Sequence, residues 1–204
     1  MKAYKGFHKD LSCLGYKFKE NAWNKTDKAN CGENGFHCAE NPLDCLSYYR
    51  NWRNSVYYEV EAAGDLDEDE FDSKISCTEI YLLKRLTLEQ LLFEALIYMV
   101  EHPERTWNGY VKKEYAEAHN GFAVVRGKNP NAHGQLGDIL ILLKEEDNCS
   151  AIEEVAFLKI DGKKCYPGIR YTVKGIYKVN GKMWFYKNTL EKTTQYIRNN
   201  SGGI

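Results

Sequence analysis

The chain has 204 residues, of which 43% are hydrophobic, and its 28 Lys and Arg nearly balance its 29 Asp and Glu. This composition is typical of one or two globular domains with a sizeable core and excludes wholesale disorder. The near-neutral charge excludes a protein that binds nucleic acid through bulk charge alone, and no apolar run approaches the ~20 residues of a membrane span. The N-terminus shows no signal-peptide pattern, so we expect an intracellular protein without membrane association.

The first elements in chain order predict strands on either side of a long polar loop. Residues 2–7 and 35–39 are apolar enough for short strands, and residues 16–34 between them are rich in turn formers. Asn41-Pro42 is typical of a helix start, because Asn caps free N–H groups and Pro suits the first helical position. We therefore expect a helix over residues 42–51.

Two further strands and a helix follow. Residues 55–62 and 75–83 alternate as half-buried strands do, and the segment between them, residues 65–72, predicts an acidic loop. Thr87 and Gln90 form a capping-box pattern that opens the clearest helix, which ends at His102-Pro103. A second amphipathic helix is expected within residues 104–120.

From residue 121 onward the pattern favours strands. Residues 122–125 and 138–143 are apolar runs, separated by a Gly- and Asn-rich turn over residues 127–137. Asp161-Gly162 and Asn180-Gly181 are typical of two-residue hairpins, whose turns need positive φ.

The chain as a whole is thus predicted to be an α+β protein in three regions. These are an N-terminal mixed α/β layer (1–86), a helical insertion (87–120) and a C-terminal region of antiparallel β-hairpins (121–204).

The seven cysteines predict free thiols. Cys31, Cys38 and Cys45 recur every seven residues, but a structural zinc site normally begins with a close pair such as C-x2-C. We therefore expect neither a metal ion nor a cofactor. His37 lies next to Cys38 in an apolar strand, where an imidazole is either a general base, a ligand or a hydrogen-bonded structural residue.

Positive charge is concentrated near the C-terminus. Between residues 156 and 198 there are ten Lys and Arg against Asp161 and Glu191, interleaved with aromatic residues. Such a surface can follow a phosphate backbone, contact an acidic protein, or form the outer face of a hairpin. The candidate partner-binding residues are Lys174, Tyr177, Lys178, Lys182, Trp184 and Tyr186.

Two segments resemble an uncharacterised phage and prophage family of unknown function. The opening Lys2-Ala-Tyr-Lys-Gly-Phe7 is similar to the family's "KAYKGF" segment, and Gly35-Phe-His-Cys-Ala-Glu-Asn-Pro-Leu-Asp44 is similar to its "GFHACENPLD" motif. The later segments 134–143 and 155–162 resemble its C-terminal portion. The resemblance implies a phage context for the chain and no established activity.

A further resemblance is to the split-sheet core of ADP-ribosyltransferase-like proteins. It rests on Tyr4-Lys-Gly6, on Gly35-Phe-His37 with Pro42, and on the Glu59-Val-Glu61 strand. It implies a nicotinamide pocket with Tyr4, His37 and Glu61 as catalytic residues and with Gly6 and Gly35 at the cofactor. The family's Ser-Thr-Ser element is absent from the sequence.

These observations lead to ranked expectations about function. The first is a non-enzymatic phage accessory or host-takeover protein that acts in the host cytoplasm by binding a host protein or protein–nucleic-acid complex. The alternative is an ADP-ribosyltransferase-like enzyme that uses NAD, and the third is a virion-associated structural component. The sequence does not identify the partner, the oligomeric state or the activity of any NAD pocket.

Overall fold

A computed structural model describes residues 1–68, 73–105, 107–146 and 151–176. In these residues strands dominate and are accompanied by two α-helices, which confirms the predicted α+β class and shows it to be mainly β. The chain divides into two units, which we call the N-terminal unit (Met1–Met99) and the C-terminal unit (Val100–Ile204). This division places a single boundary near residue 99, where the sequence suggested a separate helical region over residues 87–120.

Within its described residues, the N-terminal unit contains seven strands and two α-helices. In chain order they are β1 (Lys2–His8), β2 (Ser12–Cys13), β3 (Tyr16–Lys17), β4 (Trp23–Lys25), β5 (Phe36–Ala39), α1 (Pro42–Tyr48), a 3-10 turn (Trp52–Asn54), β6 (Ser55–Glu68), β7 (Lys74–Leu86) and α2 (Leu88–Glu101), whose last turn passes the unit boundary. The predicted strands and the two helices starting at residues 42 and 88 are confirmed.

The main sheet of this unit closes on itself. Its strand order is β4-β7-β5-β1-β6, and β7 also pairs with β6, so that β7, β5, β1 and β6 form a ring. Alternate side chains therefore point inward. The enclosed core contains Ala3, Phe7, Phe18, Phe36, Cys38, Val56, Tyr58, Val60, Ala62, Ile75, Cys77, Ile80 and Leu82.

Both helices begin as the sequence predicts. The Asn41 side chain accepts the Leu43 backbone N–H at 3.1 Å, and Pro42 occupies the first turn. At the start of α2, the Thr87 backbone N–H donates to Gln90 Oε1 at 2.9 Å and the Gln90 N–H donates to Thr87 Oγ1 at 3.2 Å. Each side chain thus satisfies a free donor of the first turn.

Strand β6 is longer than predicted. It continues past residue 62 to Glu68 because it stays paired with β7, with a register shift between Ala63 and Leu66. Gly64 has a φ of 76° at this irregularity. The first part of the predicted acidic loop is therefore strand, and residues 69–72 lie outside the described residues.

The C-terminal unit is built from strands within the described residues. They are β8 (Val111–Glu117), β9 (Phe122–His133), β10 (Ile139–Glu145), β11 (Ile152–Lys159), β12 (Tyr171–Thr172) and β13 (Gly175–Ile176). Strands β8 and β10 both pair with β9 in parallel, whereas β10–β11 and β9–β12 are antiparallel. The sheet is thus mixed, and its parallel pairs were not part of the hairpin prediction.

The helix predicted within residues 104–120 is wrong. Residues Val111–Glu117 form β8, because pairing along β9 outweighs the local helical pattern. The turn predicted over residues 127–137 is also mostly strand, since β9 runs to His133. Glu114 bends β8 with a φ of 63°, and its carboxylate accepts the backbone N–H groups of Lys128 and Asn129 at 2.8 and 2.9 Å.

The hairpin predicted at Asp161-Gly162 is wrong as well. Strand β11 pairs with β10, and the next strand, β12, pairs with β9. Instead of a two-residue turn, Asp161 Oδ1 accepts the backbone N–H groups of Lys163, Lys164 and Cys165 at 2.7 to 3.0 Å. The predicted turn at residues 180–181 lies outside the described residues.

Among the described residues, no helix is long and apolar enough to cross a membrane.

Candidate ligand-binding cleft

A cleft of about 430 Å³ opens in the N-terminal unit between β1, β5 and α1. Its lining combines aromatic, basic and thiol side chains, namely Tyr4, Tyr48, Tyr49, Lys5, Lys74, His8, His37, Cys13, Cys38 and Cys45. None of the described residues that line it is an Asp or a Glu. A volume of this size is typical of a small-molecule site.

The cleft exists because β1 and β5 separate. All seven residues of β1 pair with β6, but the register of β1 with β5 contains one pair, Tyr4 with Ala39. Gly6 lies beyond that point, and the Tyr49 ring packs directly on its Cα. A Cβ at Gly6 would lie 2.6 Å from Tyr49 Cδ2, so only glycine accommodates the ring there.

Lys5 is the most unusual side chain at the cleft. It is 4% exposed, and its ammonium lies 5.3 Å from the centroids of both the Phe7 and Phe18 rings. Lys5 Nζ donates to the His37 carbonyl oxygen at 2.5 Å and contacts Cys13 Sγ at 3.6 Å. Among the described residues no carboxylate forms an ion pair with it, although buried charges are normally paired.

Cys13 and Tyr49 lie beside this lysine. Burial, followed by the neighbouring Cys13 thiol, raises the pKa of Tyr49. Cys13 is half-buried and lines the cleft. Its sulfur thus has two polar neighbours, an ammonium and a phenol.

Two buried thiols close the inner side of the cleft. Burial raises the pKa of Cys45 to about 12, so this thiol is protonated at neutral pH. The neighbouring Cys77 thiol raises the pKa of Cys38, and Cys38 in turn lowers the pKa of Cys77, whose Sγ donates to the Phe36 carbonyl oxygen at 3.2 Å. The Lys5 charge acts on all three sulfurs in the direction of the thiolate.

His37 is engaged with the backbone. Its Nε2 accepts the Gly32 N–H at 3.0 Å, and it has a second hydrogen bond to the Asn30 backbone. Burial, with the charges of Lys5 and Lys74, lowers its pKa, so the neutral imidazole is favoured. Of the alternatives weighed from the sequence, this arrangement favours the hydrogen-bonded structural residue over the general base.

Tyr4 is held from outside the cleft. Its hydroxyl donates to Glu94 Oε2 at 2.9 Å, and burial followed by the Glu94 charge raises the pKa of Tyr4. The phenol therefore stays protonated. The orientation of this ring is determined by α2, which carries Glu94.

The structure brings together three of the five residues proposed for a nicotinamide pocket. Tyr4, Gly6 and His37 line the cleft, but Gly35 and Glu61 do not. Glu61 is an exposed residue of β6, where it pairs with Lys2 across the ladder. A transferase pocket formed by all five residues is therefore not assembled.

The predicted partner-binding surface is described only at its first residue. Lys174 is exposed and its Nζ lies 3.4 Å from Glu154 Oε1. The remaining candidates, Tyr177, Lys178, Lys182, Trp184 and Tyr186, lie outside the described residues.

The cysteines with seven-residue spacing do not build a metal site in the described part of the chain. There, no group of three or more His, Cys, Asp or Glu side chains is arranged to hold a metal ion. Cys31 Sγ instead contacts the Lys74 carbonyl oxygen at 3.6 Å.

Sequence reasoning missed Lys5, Cys13 and Tyr49. A signal for Lys5 was present, because it occupies the inward position between Ala3 and Phe7 in an alternating strand. Alternate side chains of a strand point to the same face, so a lysine between two core residues of that face indicates a buried charge. Cys13 had no such signal, since its proximity to Lys5 depends on how β2 folds back against β1.

Residues 1–94, which include every residue that lines the cleft, match the model of a family described as a domain of unknown function, DUF7666. This agrees with the prediction of an uncharacterised family for the N-terminal region. No curated protein and no solved structure matches the chain.

Proposed function

We propose that the N-terminal unit binds a small, planar, anionic molecule of the nucleotide class in the cleft between β1, β5 and α1. The observation that carries the proposal is the lining, which combines tyrosine rings with two lysines and includes no acidic residue among those described. Aromatic rings offer stacking surfaces, and the ammonium groups of lysines attract phosphate.

The aromatic wall supports a planar ligand. Tyr48 is 57% exposed although it belongs to α1, and the Lys74 ammonium lies 5.6 Å from its ring centroid. Tyr49 is fixed by its packing on Gly6 and also lines the cleft. A base or nicotinamide ring that stacks here covers apolar surface that is otherwise exposed to water.

The charges support an anionic ligand. Lys74 lies at the mouth of the cleft, where its Nζ is 3.4 Å from the Tyr48 hydroxyl, and Lys5 lies at its base. The neutral His37 adds no charge of its own. A phosphate between these lysines would interact with both ammonium groups in a partly water-excluded site, where such interactions are stronger than in bulk water.

Thermal unfolding with AMP, adenosine, ADP-ribose and NAD tests the proposal. A ligand at 100 times its Kd stabilises the folded state by about 2.7 kcal/mol. We expect AMP to raise the Tm by several degrees and Tyr48→Ala to reduce this shift. Tyr166→Ala is the matched control, because Tyr166 is a similarly exposed tyrosine, at 50%, in the C-terminal unit.

Two results would overturn the assignment. One is the absence of a Tm shift with all four compounds. The other is an equal reduction of the shift by Tyr48→Ala and Tyr166→Ala, which would locate binding outside the cleft.

The transferase alternative is tested in the same samples. Transfer from NAD releases nicotinamide, and a carboxylate at the ribose is needed for that step. Because Glu61 is outside the cleft, we expect NAD binding without nicotinamide release. Release that is lost in Glu61→Gln would restore the enzyme hypothesis.

The binding of a host macromolecule by a phage-encoded accessory protein stays a separate proposal for the C-terminal unit. Within its described residues, Lys159, Lys163, Lys164, Arg170 and Lys174 are exposed, which supports a basic surface. We expect this unit to bind an acidic partner with an affinity that falls as the salt concentration rises. The triple variant Lys174→Glu, Lys178→Glu and Lys182→Glu should weaken that binding. If the triple variant Lys17→Glu, Lys19→Glu and Lys25→Glu weakened binding equally, the assignment of the partner-binding surface to the C-terminal unit would be wrong.

A further inference from the structure

We propose that Cys13 is a nucleophilic thiol that is modified by small anionic disulfides that enter the cleft, with Lys5 as its positioning and charge-stabilising residue. This goes beyond nucleotide binding, since it assigns a covalent modification site. It does not depend on the identity of the reversible ligand.

The geometry supplies two polar groups to one sulfur. Lys5 Nζ lies 3.6 Å from Cys13 Sγ, and Tyr49, whose pKa is raised by burial and by the neighbouring Cys13, lines the same cleft. An ammonium and a hydroxyl both stabilise negative charge on sulfur, and the thiolate is the reactive form of cysteine.

The burial of Lys5 gives this contact its importance. A charge that is 4% exposed is costly unless an opposite charge is near, and no described carboxylate forms an ion pair with Lys5. The acidic group that contacts the Lys5 ammonium is the Cys13 thiol. Lys5 Nζ therefore lies where it stabilises negative charge that develops on the Cys13 sulfur during a reaction.

Accessibility separates Cys13 from the other thiols near Lys5. Cys38, Cys45 and Cys77 are buried, whereas Cys13 is half-buried and lines the open cleft. Cys31 is also half-buried, but the neighbouring charge is of the opposite sign, because Asp67 Oδ2 accepts the Cys31 backbone N–H at 2.6 Å. Cys31 is thus an internal control of similar exposure whose backbone N–H is bound to a carboxylate.

The reaction is a thiol–disulfide exchange. The Cys13 thiolate attacks one sulfur of the incoming disulfide, a new S–S bond forms, and the old S–S bond breaks. The second sulfur leaves with the bonding electron pair as a thiolate, which takes a proton from solvent. The disulfide is the oxidant, and no further reactant is required.

The experiment compares two aromatic disulfides on the full-length protein. The probe 5,5′-dithiobis(2-nitrobenzoate) is anionic and planar, and 2,2′-dithiodipyridine is its neutral counterpart. Release of the coloured thiolate gives the rate, and peptide mapping by mass spectrometry gives the site. We expect Cys13 to react about tenfold faster than Cys31 with the anionic probe, and by a smaller margin with the neutral one.

Two variants assign the effect to its cause. Lys5→Met keeps the volume of the side chain but removes the charge, and Tyr49→Phe keeps the ring but removes the hydroxyl. We expect Lys5→Met to lower the exchange rate of Cys13 by about tenfold and Tyr49→Phe to lower it by less. The exchange rate of Cys31 should be unchanged in both variants. Lys17→Met, at an exposed lysine outside the cleft, is the matched control and should change neither rate.

Three results would overturn the proposal. In the first, Cys13 reacts no faster than Cys31. In the second, Lys5→Met leaves the Cys13 rate unchanged. In the third, Lys5→Met alters both thiols equally, which would report a general change in folding. None of these measurements uses a nucleotide, so their outcome is separate from that of the Tm experiment.

Discussion

The two units each bury one cation to the same extent but surround it differently. Lys5 in the N-terminal unit and Arg126 in the C-terminal unit are both 4% exposed. Arg126 Nε donates to Glu145 Oε1 at 2.6 Å, and its Nη2 donates to the Pro103 carbonyl oxygen at 2.8 Å. Its guanidinium also lies 4.4 Å from the Trp107 ring centroid. The charge of Arg126 is thus balanced within its own unit.

Lys5 has aromatic contacts of the same kind but no balancing acid among the described residues. Its ammonium is held by one carbonyl, two rings and the Cys13 thiol, and it lies at the base of an open cleft. Burial alone therefore does not identify a functional charge. A buried cation with a complete ion pair ties elements together, whereas one whose counter-charge is incomplete at a cleft indicates a ligand or a reactive group.

The largest expected effect that tests this contrast is the loss of Arg126. Arg126→Met removes the ion pair with Glu145, whose side chain is 14% exposed. We expect a loss of about 3–5 kcal/mol in the free energy of unfolding, as for broken buried pairs. Urea denaturation measures it. The double variant with Glu145→Leu should recover much of the loss; no recovery would mean that Arg126 acts mainly through its contact with Trp107.

The next largest effect is expected at Gly6. Gly6→Ala places a Cβ 2.6 Å from Tyr49 Cδ2 and forces the ring to move. Overpacking of this kind costs about 1–3 kcal/mol. The Tm should fall, and the Cys13 exchange rate should change with it because Tyr49 and Cys13 line the same cleft. Gly109→Ala, at a glycine whose added Cβ meets no atom, is the control and should leave both readouts unaltered.

A smaller effect on stability is expected from Lys5→Met, in contrast to Arg126→Met. Removal of the hydrogen bond to the His37 carbonyl costs about 1 kcal/mol, and removal of an unbalanced buried charge offsets that cost. We expect the free energy of unfolding to stay within about 1 kcal/mol of the parent value. A loss as large as that of Arg126→Met would show that both cations are structural and would contradict the contrast.

The smallest effect is a pH dependence at Asp161. The backbone N–H groups of Cys165, Lys163 and Lys164 lower the pKa of Asp161 from 3.8 to about 2. Since the folded-state pKa is depressed, this contribution is fully present above the unfolded pKa and is lost as the pH falls from about 4 to 2. The Tm difference between the parent and Asp161→Ala should therefore shrink over that interval. A difference that is constant with pH would mean that the carboxylate charge is unimportant for the turn.

Local sequence patterns predicted the helices that begin with a capping residue. Asn41-Pro42 and the Thr87–Gln90 pair satisfy free N–H groups within a few residues, so both helix starts could be identified without knowledge of the fold. The strand at residues 2–7 was equally clear from its apolar content. These predictions needed only interactions between near neighbours.

The wrong predictions concern segments whose secondary structure depends on contacts with residues distant in the sequence. Residues 111–117 have a helical pattern but pair with β9, and the Asp161 turn forms three local hydrogen bonds where a hairpin was expected. Strand propensity depends strongly on the neighbouring strand, which the local sequence does not specify. The candidate site also divides into predicted and unpredicted parts. Tyr4, Gly6 and His37 were identified from sequence motifs, but the position of Glu61 outside the cleft was not predicted.

The amino-acid sequence alone was sufficient to predict the near-neutral charge of the chain, its α+β class and both helix starts. Only the tertiary structure decided that β1 and β5 separate beyond Tyr4, that β2 folds back to bring Cys13 to Lys5, and that the residues between 111 and 145 stack as parallel strands. The physical reason is the range of the interactions. Capping and alternation act over two to four residues, whereas a cleft, a buried counter-charge and a parallel pair depend on groups that only the folded chain brings into contact.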